Sequence, residues 1–181
     1  MFIAIIKQTL SVLTIAAQIF LTFSLIYYFL LSKGKESFLG KFIGQHAIML
    51  GFFVALIAVS GSLFFSEVAG YEPCRLCWAQ RIFMYPQIVL LGLAWLKKDN
   101  QVVDYALSLS VIGALISLYH NYVYYTTQVA DFCGLGISGV SCATRYFSEF
   151  GYVTIPMMAL TAFLSLIFLL SIKRFQGNQL A

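Results

Sequence analysis

Two of the four cysteines stand as a C-x-x-C in Glu72-Pro73-Cys74-Arg75-Leu76-Cys77-Trp78, just before an apolar stretch long enough to be a helix. Thiols at this spacing can close and reopen a disulfide, and they exchange fastest when a sulfur ionises easily. The neighbouring residues favour ionisation. Pro73 suits the first position of a helix, where its missing N–H is no loss. The unpaired N–H groups of a first helical turn carry partial positive charge and Arg75 adds a full one, so a thiolate at Cys74 or Cys77 is stabilised. A low thiol pKa makes a good leaving group and tends to raise the reduction potential. Two plainer readings stay open: half of a zinc site, or two inert thiols at a helix end. A structural zinc wants four ligands, and the remaining cysteines lack the second C-x-x-C usual in zinc ribbons.

Those remaining cysteines, Cys133 and Cys142, enclose a segment with three glycines and no charged side chain. Closing a ring of this size costs about 3 kcal/mol on the chain-entropy view, so a disulfide forms readily in an oxidising compartment. It could be a static staple or an exchangeable bond. The ring is short, bends freely and has little core to hold, which favours a flexible, exposed disulfide open to a thiolate of another protein.

Arg81 lies four residues past Cys77, one helical turn deeper on the same face, with Gln80 beside it. A charge within a membrane span marks a functional site by default, although an arginine this near an interface can also snorkel to lipid phosphates. His120, in Leu118-Tyr119-His120-Asn121-Tyr122, could donate to a carbonyl or take up protons, or simply bond to a neighbouring helix. An arginine beside a thiolate-bearing helix start can stabilise negative charge arriving on an acceptor's oxygens. His46 falls near the opposite end of its span and reads as structural.

The elements that must hold these residues are membrane helices. The chain is 61% hydrophobic and 10% charged, with a mean hydropathy of +0.88, outside the usual balance of soluble domains. Apolar runs cover about 8–32, 43–66, 78–96, 105–125 and 152–172. A hydrocarbon core about 30 Å thick needs roughly 20 apolar residues per helix, so five spans are expected. The first run is too long for a signal peptide and ends in Ser32-Lys33-Gly34-Lys35 without a small-residue cleavage site. Lys33, Lys35 and Lys41 follow the first span, Lys97 and Lys98 the third, and Lys173 and Arg174 the fifth. Basic residues mark the cytoplasmic side. The N-terminus and the segments 67–77 and 126–151 are therefore expected outside, with all four cysteines, and the C-terminus inside. The net charge of +4 is spent on this topology signal, and nucleic acid is not an expected partner. Tyr119, Tyr122, Tyr124 and Tyr125 are expected to form an interfacial belt.

These residues resemble the DsbB family of disulfide bond formation proteins, and the run from Glu72 through Gln80-Arg81-Ile82-Phe83-Met84-Tyr85-Pro86 is most similar to its BdbC-like branch. The resemblance covers about residues 43–172. It consists of a C-x-L-C-x-x-x-R stretch opening a helix, a histidine thirteen residues before the third cysteine, and Ser141-Cys142-Ala143-Thr144-Arg145 before a last helix. In the vitamin K epoxide reductase family, which looks related, the loop pair precedes the C-x-x-C; here the C-x-x-C comes first.

The resemblance implies an all-α integral membrane protein: a four-helix transmembrane bundle, here with one additional N-terminal helix. Residues 1–41 would be that helix and a cytoplasmic loop, 42–175 the thiol-oxidase bundle and 176–181 a cytoplasmic tail. It implies a multi-pass protein of the bacterial inner or plasma membrane, with Cys74, Cys77, Cys133 and Cys142 catalytic and no metal. Arg81 and His120 match the residues beside a bound quinone, ubiquinone or menaquinone. The loop pair would take electrons from an extracytoplasmic thioredoxin-like partner of the DsbA/BdbD type. The alternative is a non-enzymatic membrane assembly or metal-binding protein that uses its cysteines as ligands or staples. The extra helix, and a Cys133 to Cys142 ring shorter than in the best-known members, depart from the family pattern.

Overall fold

The computed structural model describes residues 2–31, 38–126, 142, 144 and 146–179. Lys33, Lys35, Cys133, most of the ring that follows it, Ala143 and Arg145 lie outside the described residues. The described elements are α1 (Phe2–Leu31), α2 (Phe38–Leu63) running into a π-helical turn (Phe64–Val68), α3 (Arg75–Lys97), α4 (Val102–Thr126) and α5 (Ile155–Gln179). All five α-helices are long and apolar enough to cross a bilayer. The five expected spans are thus present, with most ends extended by a few residues, because backbone hydrogen bonding carries a helix past its last apolar side chain.

The start of α5 is the exception. The apolar run opens at about residue 152, but the chain first makes a tight turn. Phe150 and Gly151 take left-handed φ values of 53° and 81°, and Glu149 pairs with Val153. Helix then begins at Ile155, with the Thr154 hydroxyl accepting from the Met157 N–H at 3.4 Å, a side-chain cap for an otherwise orphaned donor.

Helices α2, α3, α4 and α5 form the bundle, and α1 packs mainly against α5. Leu91, Phe163, Leu166 and Leu170 fill the core. Phe163 has room because Gly113 faces it: a Cβ on Gly113 would overlap the phenyl ring. Lipid gives helices no hydrophobic reason to associate, so close packing and polar bonds must hold them together. Fully buried Gln87 does part of this, donating to the Ala106 carbonyl at 3.0 Å and to Ser110 Oγ at 2.8 Å across α3 and α4.

Side-chain bonds show which ends of the helices lie together. Lys7 of α1 pairs with Glu149 at 2.8 Å, and the Tyr146 hydroxyl donates to the Glu72 carbonyl at 2.9 Å. The start of α1, the C-x-x-C and the segment before α5 therefore share one end of the bundle. At the other end, Arg174 near the finish of α5 pairs with Asp104 near the start of α4 at 2.9 Å.

Candidate active site

Cys74 is the N-cap of α3. Its backbone is extended, with φ −71° and ψ 174°, and its sulfur accepts the Cys77 N–H at 3.4 Å. This corrects the expectation for Pro73, which lies before the cap and not in the first helical turn. The consequence is chemical, since the sulfur itself takes the place that a Ser or Asp oxygen usually holds at the positive end of the helix. The first helical bond runs from the Trp78 N–H to the Cys74 carbonyl, 3.1 Å.

Cys74 and Cys77 are free thiols with their sulfurs 3.1 Å apart. The buried His120 ring approaches from α4, Nε2 lying 3.7 Å from Cys74 Sγ. On its far side the Gln80 amide nitrogen lies 3.2 Å from Nδ1. An amide N–H can only donate, so Nδ1 accepts and the ring hydrogen sits on Nε2, facing the sulfur. These contacts pull the Cys74 thiol down from its ordinary value to about 4. The main cause is the hydrogen bond from Cys77; burial opposes it and His120 adds to it. Between the two sulfurs left open by the sequence, the thiolate belongs on Cys74, with Cys77 as its S–H donor.

Arg81 does not snorkel. It is 8% exposed, and its guanidinium donates through Nε to Ser62 Oγ at 3.0 Å and through Nη2 to the Ser62 carbonyl at 2.9 Å. The guanidinium also lies 5.2 Å from the centre of the Trp78 ring, within cation–π range. Ser62 sits at the end of α2, just ahead of the π-helical turn.

Cys142 is disulfide-bonded and 2% exposed, in one buried cluster with Cys74, Leu76 and Val123. The expectation of an exposed disulfide is therefore wrong at Cys142, because the cluster covers its sulfur. Its intended partner Cys133 lies outside the described residues. A cavity of about 320 Å³ opens below, lined by Cys74, Cys77, Arg81, Tyr85, His120 and Cys142 among largely apolar neighbours. Tyr85 is two turns deeper than Cys77 on α3, and its buried hydroxyl has no hydrogen-bond partner among the described residues.

Sequence reasoning left Ser62 and Tyr85 without roles, and gave Gln80 only as a further hydrogen-bonding group beside Arg81, not as the partner of His120. Gln80 was findable, as a buried amide within a span must bond to something. Ser62 and Tyr85 were not, since only the packing of α2 on α3 brings Ser62 to Arg81. Tyr119, Tyr122 and Tyr125 are exposed as an interfacial belt requires, but Tyr124 is not part of it: it turns inward, 5% exposed, and lines the cavity. His46 stays on its own helix, its Nδ1 lying 3.1 Å from the Phe42 carbonyl.

The fold and this site together define a multi-pass helical membrane protein that carries a reactive thiol pair at one end of its bundle. The chain belongs to the family described as "Disulfide bond formation protein DsbB", whose profile matches residues 44–172. It is 45% identical over 128 residues to "Disulfide bond formation protein C" of Bacillus subtilis (strain 168), covering 70% of this chain and 91% of the relative. It is 46% identical over 129 residues to "Probable disulfide formation protein C" of Halalkalibacterium halodurans, covering 69% and 90%. A further relative, the "SPbeta prophage-derived disulfide bond formation protein B" of Bacillus subtilis (strain 168), is 38% identical over 125 residues, covering 69% and 82%. No solved structure matches the chain significantly. Membership assigns the chain to disulfide formation at the membrane, as a thiol oxidase.

Proposed function

We propose that this protein is a thiol:quinone oxidoreductase that reoxidises an extracytoplasmic thioredoxin-like disulfide donor of the DsbA/BdbD type. Electrons pass from Cys133/Cys142 to Cys74/Cys77 and on to a membrane quinone, ubiquinone or menaquinone. One observation carries the reading: Cys142 is packed beside Cys74, above a cavity that Cys77 and Arg81 also line.

A thiolate of the reduced partner attacks the Cys133–Cys142 disulfide at Cys133, because Cys142 is covered. The partner's second thiol resolves the mixed disulfide. The partner leaves with a new disulfide, and Cys133 and Cys142 are left as thiols. These reduce the Cys74–Cys77 disulfide and close their own again, so two electrons have moved inward and no net sulfur bond is gained or lost. Cys74 is the better leaving group, because its thiolate is held by the Cys77 S–H, the helix start and the His120 Nε2–H. Cys77, one turn above Arg81, is the sulfur next to the acceptor.

The residues present fit a quinone. The cavity is of small-molecule size and largely apolar, and Tyr85 offers a buried donor that lacks an acceptor among the described residues. Arg81 and Tyr85 would hold the ring oxygens, with His120, expected beside the quinone and lining the same cavity, next to them. When bound, the quinone supplies the sink, taking two electrons and two protons. Arg81 places positive charge where negative charge would arrive, in surroundings of low dielectric.

In this reading residues 42–175 are the oxidase unit, 1–41 the added helix with its cytoplasmic loop and 176–181 the tail. The cysteine end faces outward from a bacterial inner or plasma membrane, and the C-terminus is cytoplasmic. The test is anaerobic titration of the purified protein with quinone and a reduced thioredoxin-like protein. Partner oxidation matched by quinone reduction is expected, and Cys133→Ser should abolish it while Cys74 and Cys77 still pair. One observation favours a second reading: the donor atoms of Cys74, Cys77 and His120 lie within 4.8 Å of one another, close enough to share a metal ion. Stoichiometric zinc without thiol-dependent quinone reduction would establish that reading and sink the first.

A further inference from the structure

The family match begins at residue 44, so it leaves α1 without a role. Yet Leu10, Leu13, Thr14 and Ala17 of α1 line the same cavity as Cys77 and Arg81. Their spacing of three, four and seven residues puts them in one stripe along the helix. The stripe is held at both ends. Above it, Lys7 pairs with Glu149 at 2.8 Å and lies 5.2 Å from the centre of the Phe147 ring. Below it, Gln18 donates to Thr161 Oγ1 at 2.9 Å and accepts from the Tyr152 hydroxyl at 2.9 Å. Leu13 of the stripe is 47% exposed although it lines the cavity, whereas Ile19, Phe20 and Phe23 are exposed without lining it, as befits a face that meets lipid.

On α2 the seat of α1 is Gly61, where an added Cβ would stand only 3.2 Å from Leu10. A glycine there leaves room for the end of the Leu10 side chain. The next residue is Ser62, which holds Arg81. Docking of α1 and placement of the cavity's charge therefore meet at adjacent positions of one helix.

We propose that α1 is the lateral wall of the quinone chamber, its Leu10–Leu13–Thr14–Ala17 stripe lying directly against the bound molecule's isoprenoid tail. This rests on the quinone reading above. The tail is assigned to α1 and the ring to α3 because of their donors. The Thr14 hydroxyl is already used, donating to the Leu10 carbonyl at 2.8 Å, so the stripe offers an apolar surface. The chamber's cation, Arg81, and the Tyr85 hydroxyl, which has no partner among the described residues, both stand on α3. A wall that touches only the tail selects for tail length and bulk and leaves the thiol chemistry alone.

The test uses the full chain in detergent, with quenching of tryptophan fluorescence reporting equilibrium binding of a decyl-tailed quinone and of its tail-less ring analogue. Ala17→Trp should weaken the decyl compound at least tenfold and the tail-less ring much less, with the Cys74 thiolate titration unchanged. Ile19→Trp, on the lipid face, should change neither. Should Ala17→Trp dislodge α1, Leu10→Ala removes wall atoms without crowding and should weaken the tailed compound selectively. A photoreactive tailed quinone should label the peptide spanning α1. Equal loss for both ligands, or unchanged binding with no label on α1, overturns the proposal. If the wild-type protein binds no quinone, the functional reading itself fails and the wall falls with it.

Discussion

The contact most open to a quantitative test joins His120 to Cys74. Nε2 lies 3.7 Å from the sulfur, both groups are buried, and Gln80 fixes the ring hydrogen toward the thiolate. A hydrogen bond to a charged acceptor contributes about 1.5–3 kcal/mol net. At about 1.4 kcal/mol per pKa unit, that is roughly one to two units. A fully charged ring at this distance would reach about 4–5 kcal/mol at an effective dielectric near 20, which sets the ceiling. His120→Ala should therefore move the Cys74 titration upward from about 4 by roughly one to two units.

The sign follows from the loss of a group that favours the charged form, and the thiolate should still dominate at neutral pH. Cys77→Ala should raise it further, because the bond from Cys77 is the larger cause. The assay is ultraviolet thiolate absorbance against pH on reduced protein in detergent, with Cys133 and Cys142 both replaced by serine so that only the C-x-x-C titrates. The low-pH step belongs to the coupled pair in the wild type, so the comparison runs on its midpoint. An unmoved midpoint in His120→Ala, or a larger rise there than in Cys77→Ala, would refute the assignment.

Other consequences can be checked singly. Arg81→Ala removes a buried cation and two bonds to Ser62; it should weaken quinone binding tenfold or more, the equivalent of about 1.4 kcal/mol, while the C-x-x-C still closes, and unchanged affinity would remove Arg81 from the acceptor site. Tyr85→Phe deletes a hydroxyl without a partner among the described residues, so the melting temperature without quinone should not fall. Quinone affinity should drop about fivefold for the loss of roughly 1 kcal/mol; a lower ligand-free melting temperature would mean that the hydroxyl serves the fold instead. Gly113→Ala drives a methyl into the Phe163 ring and should cost about 1–3 kcal/mol, outweighing the roughly 1 kcal/mol gained in helix propensity. Thermal unfolding in detergent would show it, and an unchanged midpoint would mean that the ring moves aside freely.

What the sequence determined by itself is the part governed by local rules. Five apolar runs of bilayer length read as helices because every backbone donor within lipid must be satisfied inside its own segment. The C-x-x-C at a helix start, and Arg81 one turn below Cys77, follow from helical periodicity alone. Tertiary structure decided whatever depends on how one helix faces another. His120 of α4 came to a Cys74 thiolate held chiefly by the local bond from Cys77 and added to its support, and Arg81 stayed inside once α2 offered Ser62. Cys142 was buried by Leu76 and Val123, residues of other elements with no signature in its own loop. The turn at Phe150 and Gly151 delayed α5 against its apolar run, since hydropathy records preference for lipid and is blind to φ. The stripe on α1 shows the same division: its spacing is written in the chain, but an apolar stripe meets lipid and a neighbouring helix on equal terms. The anchors at Lys7 and Gln18, with Leu10 seated at Gly61, turn it toward the cavity.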